Sequence, residues 1–136
     1  MGNINQAITL LNFHVSAALD LQEQANAAKF YTQLPLFDEI ASEAEEWQRI
    51  FVQRVVDLLD LGVLDEDMPK AIGPESSYLD PYPKDLLGTE AHRQAVRKAL
   101  SAFAVKTREA IALTGTHAAD VFTEVSRAAD RALRRM

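Results

Sequence analysis

Four of the chain's five prolines fall between residues 62 and 87, and that uneven placement limits the fold more than any other feature. Pro69, Pro74, Pro81 and Pro83 share this stretch with Gly62, Gly73 and the acids Asp65, Glu66 and Asp67. Proline removes a backbone donor and clashes with the preceding helical turn, so no long helix survives there. On either side the apolar residues recur at three- and four-residue steps, which is the helical period. The chain therefore reads as helices on both sides of one long connection. Nowhere does it show strand-like alternation with turn punctuation.

The first helical segment covers about residues 3–29. Ile4, Ile8, Leu11, Val15, Ala18 and Ala25 form one stripe, and Ala7, Leu10, Ala17 and Leu21 a second. A helix apolar on two sides packs against neighbours on both. Pro35 suits the first turn of a second helix, where its missing N–H would be unpaired anyway. That helix runs to about residue 61 on Phe37, Ile40, Ala44, Trp47, Phe51, Val55 and Leu58, with Gly62 as its stop. Residues 68–72 carry the pattern of a short helix inside the connection. Thr89 is the expected cap of a third helix, striped by Ala95, Ala99, Phe103, Thr107 and Ala110. Gly115 ends it, and Thr116 is the expected cap of a fourth, striped by Ala118, Phe122, Val125, Ala129 and Ala132. The expected fold is an all-α four-helix bundle, a single domain over residues 1–136, with a long crossover between its second and third helices.

Composition excludes several function classes. The chain has no cysteine, so it has neither disulfides nor thiolate metal ligands, which is compatible with a reducing cytoplasm. No signal peptide and no membrane-spanning run is read. The formal net charge of −6 makes a general nucleic-acid binder unexpected, because phosphate contacts need Lys and Arg. The local exception is the cluster Arg127, Arg131, Arg134 and Arg135. It is a candidate DNA contact through Arg131, Arg134 and Arg135; the simpler account is that these cations complement the negative end of the last helix. His14, His92 and His117 fall on three different expected helices, with no Glu-x-x-His step and no second histidine four residues away. A histidine metal cluster is not expected. Trp47 reads as core packing, and Glu43, Glu45 and Glu46 as a solvated face, with a cage pore as the functional alternative.

Local runs of residues resemble one family. Lys29-Phe30-Tyr31-Thr32-Gln33-Leu34-Pro35-Leu36-Phe37-Asp38-Glu39-Ile40-Ala41 resembles the second helix of the Dps miniature ferritins, the DNA-protecting proteins of the ferritin-like superfamily. Val52-Gln53-Arg54 continues that match. Tyr82-Pro83-Lys84-Asp85 followed by His92 is similar to the end of the family's crossover, and residues 118–130 are similar to its fourth helix. The resemblance implies a ferritin-like bundle assembled at least as a dimer and, in the family's usual form, as a twelve-subunit shell that handles iron or shields DNA in stress.

The same resemblance implies that the family's iron-oxidation site is degenerate here. Asp38 stands at the first acidic ligand. The histidine expected four residues earlier is Leu34, the two later acids are Arg49 and Gln53, and no histidine lies between Gln22 and Asn26, although Glu23 is nearby. Iron affinity falls as carboxylate and imidazole ligands are removed, and an arginine at a ligand position repels a cation. Any iron bound is therefore expected to be weak or absent at that site, with storage rather than fast oxidation as the role. An ion pair of Asp38 or Glu39 with Arg49 is the expected replacement. Within one helix those positions lie three turns, about 16 Å, apart, so a pair between subunits is easier; the alternative is that both side chains simply face solvent. The alternative is a non-catalytic bundle serving as a structural or interaction module, partnering an active paralogue. A different metal or small-molecule site in the bundle ranks last.

Overall fold

The computed structural model describes residues 4–60 and 73–136, and four helices account for most of them. Helix α1 is Ile4–Thr32, α2 is Pro35–Leu59, α3 is Thr89–Thr114 and α4 is Ala119–Arg134. Short 3-10 turns occupy Pro74–Ser76 and Gly115–His117. No strand occurs among the described residues. The fold is an all-α four-helix bundle. The expected stop at Gly62 and the short helix over residues 68–72 lie outside the described residues.

The turn between α1 and α2 is two residues long. Gln33 takes the left-handed conformation, φ 62°, and its N–H closes onto the Lys29 carbonyl at 2.8 Å. That is the αL stop, made here by a glutamine where glycine is the usual choice. Leu34 is extended, as the residue before a proline should be, and Pro35 opens α2 as expected. Two such residues leave α1 and α2 no choice but to run antiparallel as neighbours. The α3 entry differs from expectation. Gly88, at φ 85°, occupies the cap position, Thr89 is the first helical residue, and no side chain caps the end. At the far end Gly115 stops α3 as expected, but Thr116 caps nothing. It lies in a 3-10 turn, and Ala118 leads into α4.

Helix α1 packs against α2 and α3, α3 packs against α4, and α2 touches α4. Tyr31, at the end of α1, lies against His92, at the start of α3, while His14 meets Phe103 further along. So α3 is antiparallel to α1 and parallel to α2. A chain leaving α2 must return the length of the bundle before α3 can begin. With 25 residues in α2, that length is about 37 Å. The proline-rich connection exists for this return, and its described part runs back along α1, where Gln24 donates to the Asp80 carbonyl at 3.0 Å.

The centre of the core is aromatic. The His14 ring stands edge-on to Phe122, Tyr78, Phe51 and Phe103, with centroids 4.8, 5.2, 5.8 and 6.3 Å away. These side chains come from all four helices and the crossover. Trp47 stacks on Phe103 at 5.4 Å and is 3% exposed, confirming it as packing. His14 Nδ1–H donates to the Leu10 carbonyl at 2.8 Å, while Nε2 is buried without a hydrogen-bond partner among the described residues. Burial holds the imidazole below its ordinary pKa, and the Lys106 charge adds to that, against the opposing pull of the backbone carbonyls. The Tyr78 hydroxyl is also buried without a partner among the described residues, and burial raises its pKa.

Two outcomes follow from this core. Phe103→Ala removes a ring that touches Trp47, Phe51 and His14, and should cost about 3–5 kcal/mol in urea unfolding. Burial keeps the folded His14 pKa below the ordinary 6.5 that the imidazole regains once unfolded. The unfolded chain therefore binds the extra proton below that pH. The neutral form's stability is fully present above it and falls by up to about 1.4 kcal/mol per pH unit on acidification towards the depressed folded value. Urea titrations of the protein and of His14→Leu at pH values from about 5 to about 7.5, on both sides of the ordinary imidazole pKa, should show the His14-dependent slope only in the parent.

Candidate functional site

The exposed positions singled out by resemblance lie on the outer surface of α2, Asp38 on its α1 side and Arg49 and Gln53 beside the groove towards α4. Asp38 is in the first turn of α2, and the two-residue turn sets it level with Lys29 in the last turn of α1. Their side chains form an ion pair, with the Asp38 side chain 61% exposed. Arg49 lies three turns further along α2. Its guanidinium reaches back to Glu45 at 2.6 Å and to Glu46 at 3.5 Å. The expected Asp38–Arg49 pair is therefore not made within the chain, nor is Glu39–Arg49. The reason is reach: acids three and four residues before an arginine lie about one turn from it on the same helical face, whereas Asp38, although on that face, is three turns, about 16 Å, away. Gln53 donates to Asp57 at 2.9 Å, one turn on. Leu34 is half-buried and packs against the core.

Between these pairs an amide network joins the helices. Gln48 donates to Gln22 at 2.7 Å, and Gln22 donates to Glu45 at 3.4 Å. Gln22 opens the segment in which the family's first-helix histidine would fall, and here it bridges α1 to α2. Glu23 is exposed. The ligand positions themselves thus hold one ion-paired carboxylate, an arginine, an amide and a leucine, which is a poor donor set for iron. Among the described residues no group of three or more His, Asp, Glu or Cys side chains gathers in a way that could hold a metal ion.

The histidines do not converge. His14 is in the core and His92 opens α3. His117 lies in the 3-10 turn rather than on a helix, and its carbonyl accepts from Arg54 at 3.0 Å. Arg54 also grips both oxygens of Asp120 at 2.8 Å, tying α2 to the start of α4. This fork holds the Asp120 carboxyl below its ordinary pKa and raises that of the guanidinium. The fork is structural, and nothing in the local run Val52-Gln53-Arg54 points to a partner as distant as Asp120.

The acidic trio divides. Glu45 and Glu46 hold Arg49, while Glu43 pairs with Arg135 near the end of the chain. The carboxyl-terminal arginines divide too. Arg135 is taken by Glu43, whereas Arg127, Arg131 and Arg134 are exposed and make no ion pair among the described residues. The end of α4 is held from α3, where Arg97 and Arg93 donate to the Leu133 and Met136 carbonyls at 3.3 and 3.5 Å. Cations at a helix's carboxyl end are the arrangement the helix dipole favours.

A second group of side chains was not anticipated as a site. Tyr31, Tyr82 and His92 meet at one end of the bundle. The Tyr82 hydroxyl lies 2.6 Å from His92 Nδ1, and the Tyr31 ring is nearly parallel to the imidazole at 5.3 Å. Tyr82-Pro83-Lys84-Asp85 and His92 were legible as a motif, but nothing in the sequence brought Tyr31 to them. Phe30 and Tyr31, edge-on to each other at 5.2 Å, are 73 and 67% exposed beside this group, and Leu87 is 89% exposed.

No protein-family model matches the chain, and no curated protein is significantly similar to it. No helix among the described residues is long and apolar enough to cross a membrane.

The ion pairs on the outer face carry their own expectation. Both partners of Lys29–Asp38 are solvent-accessible, so a double-mutant cycle with Lys29→Ala and Asp38→Ala should give a coupling of about 1 kcal/mol or less. A much larger coupling in urea unfolding would show that Asp38 has a tighter role than this pairing allows.

Proposed function

We propose that this chain is a Dps-like shell subunit that has lost its oxidation centre and works in the cytoplasm as an assembly protein, sequestering iron or shielding DNA without oxidising iron quickly. The observation that carries the reading is the partnering of the altered ligand positions. Asp38 is held by Lys29, Arg49 by Glu45 and Glu46, and Gln53 donates to Asp57. A surviving iron centre would need those carboxylates free and facing a common point. Support for the scaffold comes from the bundle, whose parallel second and third helices require a crossover of the kind the resemblance implies. DNA shielding is the weaker arm. The chain is acidic overall, and of the three candidate arginines Arg135 is already paired, leaving Arg131 and Arg134.

A second reading is a non-catalytic interaction module that partners an active relative. It is favoured by the exposed pair Phe30 and Tyr31, because large apolar side chains grouped on a surface mark contact sites.

Light scattering and a ferrous-oxidation assay test the proposal together. The expected result is a multi-subunit particle that oxidises ferrous iron no faster than buffer, with Asp38→Ala unchanged. Rapid oxidation abolished by Asp38→Ala would restore the lost centre, and a monomer at all concentrations would remove the shell. For DNA, a gel-shift titration at low salt should show retardation that weakens steeply as salt rises and is lost in Arg131→Ala/Arg134→Ala. Its absence confines the protein to the iron arm.

A further inference from the structure

The group at the end of α1 has the parts of a redox device. Tyr82 sits in the last stretch of the crossover, and its hydroxyl meets His92 Nδ1 at 2.6 Å. His92 is 5% exposed, so water does not compete freely for that bond. The Tyr82 and Tyr31 rings lie at 26° and 17° to the imidazole plane, with centroids 5.8 and 5.3 Å away. Tyr31 is largely exposed on its other side. An open cleft lined by Tyr31, Tyr82, Lys84, Asp85 and His92 gives small solutes access to the phenol.

A phenol that loses an electron becomes a very strong acid. In a partly desolvated place the resulting charge is costly unless the proton leaves in the same event. A base already within hydrogen-bond range removes that cost, which is the ordinary logic of general base catalysis. Burial and the neighbouring Tyr31 push the Tyr82 phenol up to about 12, so it does not ionise beforehand at neutral pH. Once His92 takes the proton, the imidazolium lies stacked beside the Tyr31 ring at 5.3 Å, and a cation near a ring face is stabilised by the ring quadrupole.

We propose that Tyr82 and His92 form a proton-coupled one-electron donor, serving small oxidants of the oxygen-radical class. One electron leaves Tyr82 for the oxidant. The phenolic O–H bond breaks and its proton forms an N–H bond at His92 Nδ1. Tyr82 is left as a neutral phenoxyl radical and His92 as imidazolium, while a hydroxyl radical becomes hydroxide. A thiol or ascorbate-class reductant returns the electron, and the proton passes back from Nδ1. The imidazole begins with its proton on Nε2, so that Nδ1 accepts from the hydroxyl. This site is separate from the altered ligand positions along α2 and does not depend on the assembly proposed above.

The plainer account is that the three rings only pin the crossover onto α1 and α3. Flash oxidation of the intact protein by photogenerated tris(bipyridyl)ruthenium(III) at neutral pH separates the two. Transient absorption and electron paramagnetic resonance should show a fast tyrosyl phase that is slower in deuterium oxide. Tyr82→Phe should remove that phase, Tyr31→Phe should keep it, and His92→Gln should slow it by on the order of 100-fold. Circular dichroism checks that each variant folds. The proposal is overturned if the fast phase survives Tyr82→Phe, or if folded His92→Gln reacts at the parent rate. Should the Tyr82 or His92 variants unfold, the parent decides alone: a fast phase without a solvent isotope effect overturns it.

Discussion

The bundle depends on the packing around His14. One imidazole from α1 stands edge-on to rings from α2, α3, α4 and the crossover, so the elements cannot be assembled pairwise and then adjusted. Edge-to-face contacts of this kind are directional, worth about 0.5–1.5 kcal/mol each beyond the area they bury. They also explain why a histidine is tolerated at the middle of an apolar core. Its Nδ1–H is satisfied by the carbonyl one turn earlier, and the rest of the ring behaves as a flat, weakly polar spacer. The cost is kept small only while the ring is neutral.

Around that centre, polar side chains fix how the elements meet rather than adding much stability. Arg54 bridges α2 to both the 3-10 turn and Asp120, and Arg108 bridges α3 to Asp130 of α4 at 3.0 and 3.1 Å. Arg93 and Arg97 hold the carbonyls at the end of α4. Most are at least partly exposed, so each contributes little, yet together they set the register of a short fourth helix against two longer neighbours. The α1–α2 face follows the same pattern, with Lys29, Gln22 and Gln48 joining the helices where the resemblance places metal ligands.

The sequence made the four helices legible because their stripes are long and the turn residues unambiguous. Pro35 and Gly115 act where their backbone chemistry requires. The two caps failed for a local reason. At Thr89 the preceding Gly88 takes the cap position with a positive φ, and at Thr116 a 3-10 turn displaces the helix start to Ala119. Glu45 and Glu46, which helical spacing alone puts within reach of Arg49, hold it within the chain, whereas the expected pairing with Asp38 between subunits needs a second copy. His14 was visible only as a histidine on a helix. That it sits among five-element aromatic packing depends on contacts between residues as far apart as 14 and 122, which no local pattern encodes. The meeting of Tyr31 with Tyr82 and His92 is hidden for the same reason.

The parallel course of α2 and α3 has a consequence for connectivity. Each half of the chain, 4–60 and 73–136, is an antiparallel hairpin closed by its own short turn. The crossover that joins them raises the local concentration of one hairpin around the other, a term that changes only slowly with loop length. What makes the halves specific for each other is the set of rings they share, with His14, Trp47 and Phe51 on one side and Tyr78, Phe103 and Phe122 on the other. The molecule is thus a pair of mutually selective fragments held on a tether, and complementation between severed halves is written into its topology.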